Sequence, residues 1–158
     1  MPDRRHADGA AAGLLLVLTT SGCSLFGDDE EADTSVFSVE PGTCLVAPAE
    51  VEVNITEVDA VPCDQEHTQE AYALVDYVSP DGEGADEFPG EEALTAFADG
   101  ACAEEFEGYV GVSYLDSSLF FTYLLPSARS WEEDDREVLC LVTSAGRPLT
   151  ASVKGTAQ

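Results

Sequence analysis

The chain has 158 residues, of which 32 are Asp or Glu and six are Lys or Arg, so its formal net charge is −26 at pH 7. This length is enough for one modest domain. So acidic a surface excludes the ordinary electrostatic binding of nucleic acid, which requires clusters of lysine and arginine. We therefore expect no nucleic-acid partner.

The N-terminal segment has the organisation of an export signal. Arg4 and Arg5 supply positive charge, residues 10–18 are mainly apolar, and small polar residues follow up to Gly22. The apolar stretch is about half of the roughly 20 residues that a bilayer-spanning helix needs. We predict that residues 1–22 are a lipoprotein-type signal peptide rather than a transmembrane helix.

Cys23 differs from the other cysteines because it directly follows this signal. The ending Thr20-Ser21-Gly22-Cys23 resembles the bacterial lipoprotein box, whose cysteine receives a diacylglyceryl group with palmitate-type acyl chains and becomes the new N-terminus. Thr20 stands where leucine is usual, so ordinary secretion is the alternative. We predict a lipid-anchored protein on the extracytoplasmic face of the cell membrane.

Residues 23–35 are predicted to be a flexible tether. They contain five acidic residues and little apolar material that could be buried. A chain of this length would hold a folded domain, predicted as residues 36–158, close to the membrane surface.

From residue 36 onward, short apolar alternations broken by turn residues predict β-strands. The predicted strands are residues 36–39, 43–46, 51–61, 70–78, 119–125, 137–143 and 149–153. One helix is predicted from Leu94 to a stop at Gly108, because apolar residues recur there at spacings of three and four. Ser130 and Glu133 predict a capping box that opens a single helical turn. This order indicates an α+β fold, a small antiparallel β-sheet packed with one main α-helix.

Four cysteines are spread through the predicted domain, and in an exported chain they predict two disulfides. They are Cys44, Cys63, Cys102 and Cys140. Four cysteines allow three pairings, and the sequence alone does not choose among them. We prefer Cys44 with Cys63, which we assign to neighbouring predicted strands. Cys102 with Cys140 would then fasten the buried face of the helix to a strand.

Several short motifs share their order with a known family. These are Gly42-Thr43-Cys44, Val61-Pro62-Cys63 followed by His67 and Glu70, the helix residue Cys102, and Trp131, Asp135-Arg136 and Cys140. Over about residues 37–142 the chain resembles the septum formation domain family of actinobacterial envelope proteins and lipoproteins. A glycine usually precedes the Asp-Arg pair, where this chain has Asp134. The resemblance implies an association with cell division or the envelope, and it implies no known catalytic residues.

His67 is the one position of the predicted domain that suggests enzyme chemistry, since imidazole is the usual general base near neutral pH. A hydrolase-type envelope enzyme would use it with Asp64, Glu66 or Glu70. No second reactive group accompanies it, and a zinc site of Cys63 and His67 would require a thiolate rather than a disulfide. We instead predict that His67 and Asp64 form hydrogen bonds with the backbone or with Arg136 and brace the first disulfide. We predict no metal and no cofactor.

Three further residues are predicted to have structural or binding roles. Asp135 and Arg136 are expected to form a fixed ion pair or a turn clamp, and Trp131 is expected to be a buried lid of the core. The sequence thus favours a non-catalytic, lipid-anchored interaction domain of the cell envelope, linked to septum formation. Its expected partners are the membrane and envelope or division proteins, and no oligomeric state is predicted.

Overall fold

Antiparallel strands form one sheet in this protein, whose computed structural model describes residues 32–48, 55–82 and 85–158. The elements are β1 (Ala32–Ser35), β2 (Cys44–Val46), β3 (Glu57–Val61), β4 (Gln69–Asp76), α1 (Glu91–Val110), β5 (Phe120–Leu124), α2 (Ala128–Trp131) and β6 (Glu137–Thr143). The strand order is β1-β3-β2-β4-β6-β5, with every pair antiparallel. The predicted α+β fold with one main helix is confirmed.

The beginning of the sheet differs from the prediction. The predicted signal peptide, Cys23 and most of the predicted tether lie outside the described residues. Strand β1 pairs with β3 and occupies the last residues of the segment predicted as a tether, so the sheet begins before residue 36. Residues 36–39, predicted as a strand, instead contain a 3-10 turn at Val36–Ser38. Within the predicted strand 51–61, β3 occupies the C-terminal part, and residues 51–54 lie outside the described residues.

Strand β4 contains a bulge that the sequence pattern did not indicate. The pairing register with β6 shifts between Ala71 and Ala73, which leaves Tyr72 as an extra residue. A bulge interrupts the alternation of side chains between the two faces of a strand. Tyr72 and Ala73 therefore both belong to the core beneath α1, whereas simple alternation along the strand would place Tyr72 on the same face as Leu74.

Helix α1 ends later than predicted, and the C-terminal segment of the chain caps it. Gly108 lies within the helix, and Gly111 ends it in the left-handed region with φ 91°. The last carbonyls of a helix lack partners within the helix. Here the N–H groups of Gly155 and Ala157 donate to the carbonyls of Tyr109 and Val110, at 2.8 and 2.9 Å.

The second helix begins three residues earlier than predicted. Ser127, not Ser130, is its N-cap, and its side chain accepts a hydrogen bond from the Ser130 N–H at 3.0 Å. The Ser130 hydroxyl in turn accepts one from the Ser127 N–H at 2.9 Å. Ser130 therefore closes the capping box that it was predicted to open.

Buried side chains form clusters on both faces of the sheet. Beneath α1 the cluster includes Tyr72, Phe106, Val110, Leu119, Val138 and Val142. On the opposite face the cluster includes Val39, Leu45, Val58, Leu139 and Leu141, with Leu124 packed against it. In a flat sheet, four strand spacings would separate β3 from β5 by about 19 Å. Because Val58 of β3 and Leu124 of β5 share one cluster, the sheet curves strongly around this second face.

Two disulfides join the elements as predicted. The first disulfide, Cys44–Cys63, links β2 to the turn after β3 with a Cα–Cα distance of 5.2 Å. The helix–sheet disulfide, Cys102–Cys140, links α1 to β6 at 5.6 Å. In the chain-entropy model, loops of 19 and 38 residues correspond to about 3 and 4 kcal/mol of stabilisation.

Candidate functional site

Glu70 is a buried carboxylate in β4 that binds two distant parts of the chain. It has 0% of its surface exposed. Its Oε1 accepts hydrogen bonds from the Tyr109 hydroxyl and the Ser152 hydroxyl, each at 2.5 Å. Its Oε2 accepts a hydrogen bond from the Val153 N–H at 2.8 Å. Since hydrogen bonds to a carboxylate are among the strong ones, these four residues, the Glu70 clasp, tie β4 to the end of α1 and to the C-terminal segment.

Tyr109 is the member of the clasp that belongs to α1. Burial, and then the hydrogen bond to Glu70 and its negative charge, raise the pKa of Tyr109 above its usual value. Gly42 approaches the same hydroxyl: its φ is 102°, and a Cβ there would lie 3.9 Å from the Tyr109 oxygen. Because its pKa is raised, the Tyr109 hydroxyl keeps its proton at neutral pH and remains a hydrogen-bond donor.

His67 lies next to the clasp and is also completely buried. Its backbone exchanges two hydrogen bonds with Leu149, in an isolated bridge where the sequence predicted a strand at residues 149–153. Its Nδ1 lies 2.8 Å from the carbonyl oxygen of Gln65. A carbonyl only accepts, so Nδ1 is assigned the proton, and in the neutral imidazole Nε2 then carries a free lone pair. Within the described part of the chain, this buried Nε2 has no hydrogen-bond partner.

Cys44, His67 and Glu70 meet at one point in the interior. Each offers a potential metal-ligand atom, and the three atoms lie within 4.8 Å of one another. The sulfur of Cys44 is bonded to Cys63, however, and a metal requires a thiolate. While the first disulfide is intact, the Cys44 sulfur is therefore not available as a metal ligand.

The carboxylates considered for an enzyme do not gather around His67 in an open cleft. Asp64 and Glu66 are exposed, whereas both oxygens of Glu70 are occupied by the clasp. Two surface pockets are formed by residues of the described part of the chain on the sheet face opposite α1, and His67 lines neither of them. The structure therefore provides no accessible acid and base at this position.

Trp131, Asp135 and Arg136 form a turn clamp. Trp131 is 3% exposed, and the Arg136 guanidinium carbon lies 4.0 Å from the centroid of its ring. The same guanidinium donates to the carbonyl oxygens of Trp131 and Asp135, at 2.8 and 2.9 Å. The Asp135 carboxylate accepts from the Glu137 N–H at 3.1 Å. Arg136 thus holds Asp135 through its backbone instead of the ion pair predicted as one option.

Asp134, where the resembling family usually has glycine, adopts the left-handed conformation that favours glycine. Its φ is 67°, and its side chain is 99% exposed. The carboxylate lies 4.0 Å from the Arg136 guanidinium, within ion-pair distance. The turn before the Asp-Arg pair therefore keeps a glycine-like backbone in this chain.

A groove of about 590 Å³, lined by both apolar and polar residues, opens on the sheet face opposite α1. Its apolar lining includes Phe37, Ile55, Leu74, Leu124 and Leu139, and its charged lining residues are Arg129, Glu133, Asp135 and Glu137. Phe37 is 62% exposed and Leu74 is 36% exposed. No pattern in the sequence indicated this groove, because segments far apart in the chain form it.

The comparison with protein families matches the same frame of residues. The septum formation family model matches residues 41–158, most of the chain. The chain belongs to the septum formation family. The match includes Ser152 and Val153, so the whole Glu70 clasp lies within the septum formation domain. No curated protein and no solved structure matches the chain. Among the described residues of this septum formation domain, no helix is both long enough and apolar enough to cross a membrane.

Tyr109 and Ser152 are the site residues that sequence reasoning missed. Glu70 was considered only as a catalytic partner of His67. Its donors lie 39 and 82 residues further along the chain. The signal that could have found Tyr109 is its position on the buried face of α1, three residues after Phe106.

Proposed function

We propose that this septum formation domain is a non-catalytic interaction module, anchored through a lipid on Cys23 to the extracytoplasmic face of the cell membrane. Its partners are proteins of the envelope or of the division machinery. Membership of the septum formation family supports a role related to cell division. The observation that carries the interaction role is the groove on the sheet face opposite α1.

The chemistry of the groove indicates the kind of segment that would bind there. Exposed apolar surface with a polar rim is typical of interaction sites. The charged residues that line the groove are three carboxylates, from Glu133, Asp135 and Glu137, and one cation, Arg129. We infer that the occupant is a peptide segment of a partner protein. Its apolar side chains would contact the apolar lining of the groove, and its lysine or arginine side chains would contact the carboxylates.

The non-catalytic part of the proposal is supported by the burial of His67 and Glu70. Both are 0% exposed, and both oxygens of Glu70 already accept hydrogen bonds from the clasp. A general acid or base must come within hydrogen-bond distance of its substrate. A substrate would have to displace the C-terminal segment to reach either group.

Peptide binding with groove variants tests the interaction role. The probe is a fluorescent peptide of alternating leucine and lysine, compared with one of leucine and glutamate, and it is titrated with the full chain. Leu74→Glu removes an apolar contact worth about 1.5–3 kcal/mol, so we expect about 10- to 100-fold weaker binding. Val78→Glu is the matched control, because Val78 is 44% exposed and does not line the groove.

Two outcomes would contradict the groove proposal. Equal weakening by Leu74→Glu and Val78→Glu would place binding elsewhere, and equal binding of the leucine–glutamate peptide would remove the argument from charge. If the groove variants behave as expected, a photo-cross-linking amino acid introduced at position 74 in cells would identify the natural partner. The same amino acid at position 78 is the control.

Replacing the predicted anchor tests the location. Cys23→Ser is expected to move the protein from the membrane fraction to the soluble fraction and to abolish labelling by radioactive palmitate. Unchanged membrane association and no labelling of the wild-type chain would refute lipid anchoring, without bearing on the groove.

A further inference from the structure

The unpartnered nitrogen of His67 is the least explained feature of the interior. More than nine in ten buried polar groups in proteins have a hydrogen-bond partner, so a buried exception calls for a specific cause. His67 is 0% exposed, and its Nδ1 is hydrogen-bonded to the carbonyl oxygen of Gln65. Its Nε2 has no hydrogen-bond partner among the described residues. An imidazole with one nitrogen bonded to a carbonyl and the other free has the usual arrangement of a metal-ligating histidine.

His67 belongs to a set of groups that are typical zinc ligands. A sulfur of Cys44, a ring nitrogen of His67 and a carboxylate oxygen of Glu70 lie within 4.8 Å of one another. The sulfur of Cys63 is bonded to that of Cys44, so reduction would release a second thiol beside these three groups. Zinc takes thiolate, imidazole and carboxylate ligands at about 2.0–2.3 Å, which puts tetrahedral ligands roughly 3.3–3.8 Å apart. The Cys44, His67 and Glu70 atoms, which lie within 4.8 Å of one another, approach this spacing, and reduction frees the two sulfurs to separate.

We propose that reduction of the first disulfide converts this cluster into a zinc site formed by Cys44, Cys63, His67 and Glu70. A dithiol reductant supplies two electrons and two protons: the Cys44–Cys63 bond breaks, two thiols form, and the reductant becomes a disulfide. Zinc binding then releases the two thiol protons to solvent. The Nε2 lone pair of His67 then completes the site with Oε2 of Glu70, which accepts one hydrogen bond in the clasp and keeps a second lone pair.

The two disulfides differ in their access to a reductant. Cys63 is partly exposed, whereas both cysteines of the helix–sheet disulfide are 0% exposed and packed beneath α1. Thiol–disulfide exchange requires direct attack on a sulfur. We therefore expect a reductant to reduce the first disulfide before the helix–sheet disulfide. The conversion of the cluster into a zinc site does not depend on the lipid anchor or the groove.

Zinc titration of the full chain tests this proposal. The chain is reduced under anaerobic conditions with a phosphine, the phosphine is removed, and zinc is titrated against a chromophoric competitor. We expect one zinc per reduced chain and none per oxidised chain. His67→Gln should weaken zinc binding by more than the roughly 10- to 100-fold that loss of a ligand's hydrogen-bond partner costs.

Matched cysteine variants assign the ligands. The double change Cys44→Ser and Cys63→Ser should abolish zinc binding, whereas Cys102→Ser and Cys140→Ser should retain it. Cobalt(II) in place of zinc should show a thiolate charge-transfer band with the second variant and not with the first.

Several results would overturn the zinc proposal. They are zinc binding by the oxidised chain, retention of binding without Cys44 and Cys63, and a folded reduced chain that binds no zinc. If reduction unfolds the chain, zinc must restore the native circular dichroism spectrum, and failure to restore it would also refute the site. None of these results bears on the binding of peptides to the groove of the oxidised protein.

Discussion

Replacing Glu70 by Gln tests whether the clasp stabilises the fold. Glutamine has the same shape, but one oxygen becomes an NH₂ group. If the amide oxygen stays with Tyr109 and Ser152, the NH₂ faces the Val153 N–H, which then loses an acceptor that it has at 2.8 Å. An unsatisfied buried donor costs about 1–3 kcal/mol. The two retained bonds also lose charge assistance, which is about half of their strength.

The neutral amide is cheaper to bury than the carboxylate, which offsets part of this loss. We therefore expect Glu70→Gln to lower the free energy of unfolding by about 2–4 kcal/mol, a large share of the 5–15 kcal/mol typical of a domain. Urea unfolding of the oxidised full chain, followed by far-UV circular dichroism, measures the change. Glu66→Gln is the control, because Glu66 is exposed, and it should change stability by less than about 0.5 kcal/mol.

The clasp would be refuted as a stabilising element if Glu70→Gln changed stability no more than its control. Tyr109→Phe provides a second test, since it removes one donor and leaves the other two. We expect it to be destabilising, and combined with Glu70→Gln its effect should fall well below the sum of the two single changes. Full additivity would mean that the two residues do not interact.

The remaining predictions concern the turn at Asp134 and the buried tyrosines. Because Asp134 has a φ of 67°, Asp134→Ala should be about 1 kcal/mol less stable than Asp134→Gly, a comparison in which both variants lack the carboxylate; equal urea midpoints would contradict it. Burial comes first among the causes that raise the pKa of Tyr72 and Tyr109, so the native state holds protons that the unfolded state releases. This stabilisation is complete below the ordinary tyrosine pKa of about 10 and is lost as the pH rises above it. Tyrosinate absorbance should therefore rise in full only with alkaline unfolding, and complete titration of all five tyrosines in a folded chain would refute the prediction.

The parts of the fold that sequence predicted best depend on local patterns. The apolar repeat of α1 predicted the helix, and the apolar alternations predicted the sheet. The positions of the four cysteines on these predicted elements then favoured the two disulfides that the structure contains. The end of α1 was misplaced because Gly108 suits a helix end, yet the capping N–H groups come from residues 155 and 157. Such capping depends on where the C-terminal segment lies, which no local pattern records.

The site was less predictable because its partners are distant. Residues 149–153 alternate as a strand would, but the Val153 N–H donates to Glu70 instead of to a neighbouring strand. The sequence showed that Glu70 lies near His67 and could not show that Tyr109 and Ser152 satisfy it. The groove was invisible for the same reason, since the curvature of the sheet brings Ile55 near Leu124.

The shortage of basic residues explains why the interior depends on neutral donors. After the predicted signal peptide the chain has only Arg129, Arg136, Arg147 and Lys154 as bases. Arg136 is engaged with Trp131 and the turn, and the Lys154 ammonium lies 5.5 Å from the Tyr109 ring centroid. Glu70 is accordingly stabilised by hydroxyl and amide donors, which do not weaken with salt as surface ion pairs do. The same shortage leaves the carboxylates along the groove largely uncompensated, so a partner segment that supplies lysine or arginine gains the most by binding there.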